Sequence, residues 1–140
     1  DVLDEVVRII LQPQRGAGIV RRWLFAHNWE IIDEDLVLEN DNYYEIIIPE
    51  HTMNVSAFAI DKNLGRQEEE LLDVGPRLVE KKHPLLIPFL QEKTRLAENV
   101  LKSLRHAKTP AAKIMRQEWR RKILLYRRTI ENVTEMSTDI

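Results

Sequence analysis

Hydrophobic and polar positions divide the chain into two differently patterned halves. Val6-Val7-Arg8-Ile9-Ile10-Leu11 is an almost continuous β-branched, apolar run, the pattern of a short strand buried in a parallel sheet. Gln12-Pro13-Gln14 ends it, because proline has no N–H to give to a ladder. Over residues 17–27, Ile19, Trp23 and Ala26 recur at helical spacing, which predicts a helix with that stripe as its apolar face and Arg21 and Arg22 off it. Asn28 is its expected stop. Two strands follow, over residues 29–38 and 43–48. Between them lies Asn40-Asp41-Asn42, residue types that tolerate the left-handed backbone of a hairpin turn. Pro49 is expected to close this β-hairpin. Gln67-Glu68-Glu69-Glu70 opens a short helix into Leu71 and Leu72, and Gly75-Pro76 is a strong break.

The second half has a different period. Past His83-Pro84 and Pro88, Leu86, Leu90, Lys93, Ala97, Val100 and Leu104 follow one another in alternating steps of four and three. After Thr109-Pro110 a second seam runs through Ala112, Met115, Trp119, Ile123, Tyr126, Ile130 and Val133. Two such helices joined by a short loop should fold back as an antiparallel coiled-coil hairpin. Met115, Trp119 and Tyr126 read as seam residues, not as a cofactor box.

Charge sharpens this division. Residues 1–76 carry 6 Lys/Arg against 16 Asp/Glu, a balance of −10, whereas residues 77–140 carry 15 against 7, a balance of +8. Such asymmetry inside a chain of net charge −2 points to a polyanionic partner for the basic half. The faces turned away from the seams hold Lys102, Arg105, Lys108, Lys113, Arg116, Arg120, Arg121, Lys122, Arg127 and Arg128, the candidate RNA-binding residues.

Little else carries chemistry. The chain has no cysteine, so disulfides and thiolate metal sites are excluded, and its four histidines are scattered without ligand spacing. No metal site is expected. Phosphate loops, dinucleotide fingerprints and nucleophile elbows are missing, and Gly16-Ala17-Gly18 is too short to act as one. No apolar run approaches the ~18 residues of a membrane span, and no signal sequence is seen, so a cytoplasmic setting without membrane contact is expected. A first residue of Asp1 suggests a trimmed piece of something longer.

One resemblance organises these features. Ile10-Leu11-Gln12-Pro13-Gln14, then Ile19-Val20-Arg21-Arg22-Trp23-Leu24, then Trp29-Glu30-Ile31-Ile32-Asp33-Glu34, then Tyr44-Glu45-Ile46-Ile47 resembles the bacterial tRNA (adenine-22-N1)-methyltransferase family. That family has Leu-Gln-Pro-Asn where this chain has Gln14 at the fourth position. The resemblance implies an α/β plus α fold: residues 1–50 as the C-terminal part of a Rossmann-like methyltransferase sheet (strand, helix, β-hairpin), 51–84 as a connecting segment, and 85–140 as the coiled-coil helical hairpin. It implies S-adenosylmethionine as the cofactor of the complete enzyme, bound by residues before Asp1, tRNA as partner, and methylation of adenine N1. It places Gln12, Pro13 and Gln14 beside the target base or, equally, in a plain strand-ending turn. An exposed apolar strand edge around Val7 to Leu11 follows, open to the missing catalytic portion or to self-association. The 140-residue piece is expected to be inactive alone. The competing reading is a non-catalytic RNA-binding or coiled-coil interaction module.

Overall fold

A computed structural model of the chain describes residues 5–52 and 65–138. They form two compact units, divided between His83 and Pro84.

In the first unit, β1 (Val6–Arg8), β2 (Glu30–Glu39) and β3 (Asn42–Thr52) make an antiparallel sheet of order β1-β3-β2. The turn from β2 to β3 has Asn40 and Asp41 both at positive φ (52° and 65°), with Glu39 opposite Asn42. This is the two-residue turn whose twist matches the strands. β3 does not stop at Pro49 as expected. It continues to Thr52, and Pro49 lies buried opposite Ile31, beside a bulge at Ile32 that breaks the ladder. The bulge removes the need for the N–H that proline lacks, while the Pro49 carbonyl still accepts the Ile9 N–H at 3.2 Å.

β1 is shorter than its apolar run predicts, and among the described residues it is the expected open edge rather than a strand buried in a parallel sheet. It is three residues long, antiparallel to β3, and exposed. Beyond it, Leu11 and Ile47 exchange both backbone hydrogen bonds, at 2.8 and 2.9 Å. No described strand lies on its other side, so Val6, Val7 and Ile10 (73% exposed) face outward.

The helix α1 (Ala17–Ala26) closes over the sheet, and Asn28 at φ 65° ends it as a left-handed cap. Its orientation corrects the sequence reading. Ala17, Arg21 and Leu24 face inward, while Ile19 (74% exposed) and Trp23 (53%) face outward. Arg21 is fully buried. Its guanidinium donates to Glu34 at 2.7 Å, Glu45 at 3.0 Å and the Leu72 carbonyl at 3.0 Å. This one side chain therefore ties α1 to β2, to β3 and to the turn after α2 (Arg66–Leu71). The other Glu34 oxygen accepts the backbone N–H of Arg77 at 2.8 Å, in the first turn of α3 (Pro76–Glu80). Arg22 grips Asp73 through two nitrogens and Glu69 through a third. The Asp73 hydrogen bond, reinforced by Glu69, raises the Arg22 pKa further above its already high value.

In the second unit, α4 (Leu86–Ser103) and α5 (Pro110–Thr138) pack together. Their cross-contacts pair Arg116 with Leu104, Arg127 with Glu98, and Tyr126 with Lys93. As α5 advances, α4 recedes, so the helices are antiparallel. α5 is much longer, at 29 residues against 18. Lys93, a charge in the α4 seam, lies over the rings of Phe89 and Tyr126 at 5.0 and 5.5 Å, which stabilises an ammonium at a half-buried position. The α5 seam is shifted from the expected one. Met115 is exposed, Ile130 is half-buried, and Leu125 and Thr129 are buried.

Candidate nucleic-acid interface

The hairpin turn is built by sequence-local rules. Thr109 accepts the Ala112 N–H at 3.1 Å, and Pro110 occupies the first helical position. These are the preferred residues for a helix start. At the other side of the turn the last carbonyls of α4 need donors. Arg116 supplies them: one guanidinium nitrogen lies 2.7 Å from both the Leu104 and Ala107 oxygens. Arg116, expected to face outward, is thus turned inward. Its neighbour across the hairpin is a turn with bare carbonyls rather than another apolar side chain.

The remaining candidate cations differ in how far they are committed. Lys102, Arg105, Lys108, Lys113, Arg120 and Arg121 are exposed and make no ion pair among the described residues. Lys122 lies 4.5 Å over the Trp119 ring. Arg127 is paired with Glu98 at 2.6 Å, and Arg128 is exposed. The structure brings the four cations nearest the turn to one end of the hairpin and distributes the others along α5. Such cations hold a phosphate backbone without reading its sequence.

Gln12, Pro13 and Gln14 belong to the other unit. They form the loop from β1 to α1, after Leu11 has paired with Ile47. Both glutamines are exposed, and neither side chain hydrogen-bonds to a described residue. The loop therefore carries two side-chain amides without a partner among the described residues, beyond the C-terminal end of β1. The nearby Gly16-Ala17-Gly18 run is no cofactor cradle. A methyl on Gly18 would sit 2.5 Å from the Asp73 carboxylate, so that space is already filled by the segment Arg22 holds. An open groove of about 260 Å3 lies elsewhere in this unit, lined by Phe25, Trp29, Ile31, Leu72 and Pro76 with Glu30, Glu68 and Arg77 as its charges. Arg77 is engaged by the Ile31 carbonyl and Glu80, leaving the groove mainly apolar. Neither the filled glycine run nor this mainly apolar groove fits S-adenosylmethionine. No metal-binding group of side chains occurs among them, and none of their helices is long and apolar enough to cross a membrane.

Two carboxylates on β2 are perturbed. A hydrogen bond from Lys81, helped by the Glu34 N–H, holds Asp33 below the ordinary carboxylate range. Burial pushes Asp35 up, but the Leu36 N–H, His83 at 2.6 Å and Lys81 outweigh it, and its pKa is also lowered. These pairs pin residues 81–83, including Lys82 at φ 50°, to the sheet. Together they form a structural latch between β2 and this segment.

Comparison with known proteins places this arrangement. The family model described as tRNA (adenine(22)-N(1))-methyltransferase matches residues 1–127. A Bacillus subtilis (strain 168) protein of that description is 25% identical over 108 residues, covering 76% of this chain and 43% of its own length. The crystal structure of the B. subtilis m1A22 tRNA methyltransferase superposes with a TM-score of 0.67 at 22% identity, over 88% of this chain and 51% of that one. A Streptococcus pneumoniae structure in complex with S-adenosyl-L-methionine gives 0.63 at 23%, over 88% and 47%. The chain thus has the fold of part of a Rossmann-like methyltransferase and spans about half the length of these relatives.

Proposed function

Because the chain belongs to the tRNA (adenine(22)-N(1))-methyltransferase family, we propose that it is part of an enzyme that transfers a methyl group from S-adenosylmethionine to N1 of an adenine in tRNA. The observation that carries this reading is the family match across residues 1–127, which takes in both the sheet and most of the hairpin. The cofactor is held by parts of the methyltransferase fold other than the described residues. The hairpin, as a basic coiled coil, holds the tRNA backbone, and the free amides of Gln12 and Gln14 border the base that is exposed for reaction. The substrate puts the enzyme in the cytoplasm. The exposed Val6, Val7 and Ile10 support pairing of the β1 edge with the rest of the catalytic sheet, because an unpaired apolar edge invites a neighbouring strand.

The test is methylation of unmodified tRNA, read by mass spectrometry of nucleosides. The protein comprising this chain and the remainder of the fold is expected to form N1-methyladenosine. The 140-residue chain alone is expected to bind tRNA without methylating it. Methyl transfer by the 140 residues alone, or none by the larger protein, overturns the reading. RNA binding without methylation in both would instead favour a non-catalytic module, a reading that the basic hairpin taken by itself would also support.

A further inference from the structure

The cations of the hairpin are not evenly distributed, and their pairing divides it into a tip and a stem. Between Glu98 and Glu118 there is no acidic residue, and this stretch of 19 residues holds Lys102, Arg105, Lys108, Lys113 and Arg116. Its centre is the turn between α4 and α5, which end and begin at Ser103 and Pro110. At 1.5 Å per residue, Lys102 and Lys113 each lie within about one helical turn of it. Lys102, Arg105, Lys108 and Lys113 are exposed and make no ion pair among the described residues. In the stem, by contrast, Arg95 is tied to Glu92 and Arg127 to Glu98. Arg120 and Arg121 are also exposed and unpaired among the described residues, but they follow Glu118, whereas the four cations around the turn lie in a stretch with no acidic side chain.

Backbone electrostatics favour the same end. The carboxyl end of α4 would repel phosphate, but Arg116 covers the Leu104 and Ala107 oxygens. The amino end of α5 attracts phosphate, and its first turn has no acidic side chain to compete. Thr109 and Arg116 also hold the turn in one shape, so the four cations bind with less ordering to do.

Resting on the reading of the chain as part of a tRNA methyltransferase, we infer that the turn end of the hairpin, rather than its stem, grips the RNA. Lys102, Arg105, Lys108 and Lys113 take the phosphate backbone of a folded RNA, and Arg116 shapes the turn without touching it.

The experiment measures binding of a tRNA transcript to the full 140-residue chain by fluorescence anisotropy, between about 50 and about 200 mM salt. Removing one phosphate-binding cation lowers the salt slope by about 1. Lys108→Ala with Lys113→Ala is expected to weaken binding by about tenfold or more and to lower the slope by about 2. Arg120→Ala with Arg121→Ala in the stem should leave both within a factor of about two, with helix content by circular dichroism unchanged in every variant. If the Arg120 and Arg121 variant weakens binding as much as the tip variant, the tip assignment fails while RNA binding stands. If poly-glutamate of matching charge competes as well as tRNA, the surface is a general polyanion or acidic-protein site and the RNA assignment fails. Absence of any tRNA binding by the unmodified chain overturns both this inference and the function it rests on.

Discussion

Replacing Arg21 by methionine tests the interior of the sheet unit most directly. Met keeps most of the buried volume but removes every donor. Glu34, fully buried, then loses its only charged partner among the described residues, Glu45 loses an ion pair with just 13% of its side chain exposed, and the Leu72 carbonyl loses a donor. Removing one partner of a buried ion pair costs about 3–5 kcal/mol, a large part of the ~5–15 kcal/mol that stabilises a typical domain. With a urea dependence of about 1–3 kcal/mol per molar, the midpoint should fall by about 2 M. The readout is tryptophan fluorescence in a Trp119→Phe background, so that the signal comes from Trp23 and Trp29 of the sheet unit. Adding Glu34→Leu should restore about 1–3 kcal/mol, since an apolar replacement removes the stranded charge. Recovery stays incomplete, because Glu34 also accepts the Arg77 N–H. A loss below about 1 kcal/mol in the single variant, or a double variant no more stable than the single one, would refute the account of Arg21 as the tie between α1, the sheet and the turn after α2.

Two further outcomes follow from the same unit. Asp33 and Asp35 have folded pKa values below their ordinary value, so their contribution is complete above about pH 5 and is lost as pH falls from the unfolded value near 3.9 through the lower folded values. Carboxyl-carbon NMR titration should give both midpoints below about 3.9, and midpoints at or above it would remove the latch on residues 81–83. Gly75→Ala should lower stability by about 1–3 kcal/mol, because Gly75 has φ 119° and a methyl there would lie 2.7 Å from Leu78 and 3.1 Å from Arg21. An unchanged thermal midpoint would contradict that geometry.

Much of the chain was settled by local chemistry. Asn40-Asp41 specified its turn, Asn28 its helix stop, Thr109-Pro110 the start of α5, and the lysines and arginines of residues 77–140 a basic hairpin, because caps, turns and net charge depend on residue type and near neighbours. Periodicity also showed which residues share a face. It did not show which face meets a partner. Ile19 and Trp23 share a stripe that points outward, while Arg21 is at the centre, since burying its charge takes Glu34, Glu45 and the Leu72 carbonyl, which come together only when the chain folds. Pro49 continues a central strand because a bulge on β2 relieves its missing hydrogen bond. Arg116 turns inward because the end of α4 presents bare carbonyls to it. In the same way, the basic character of the hairpin was legible from residue type alone, but which of its cations are paired was decided by the antiparallel packing that sets Glu98 beside Arg127.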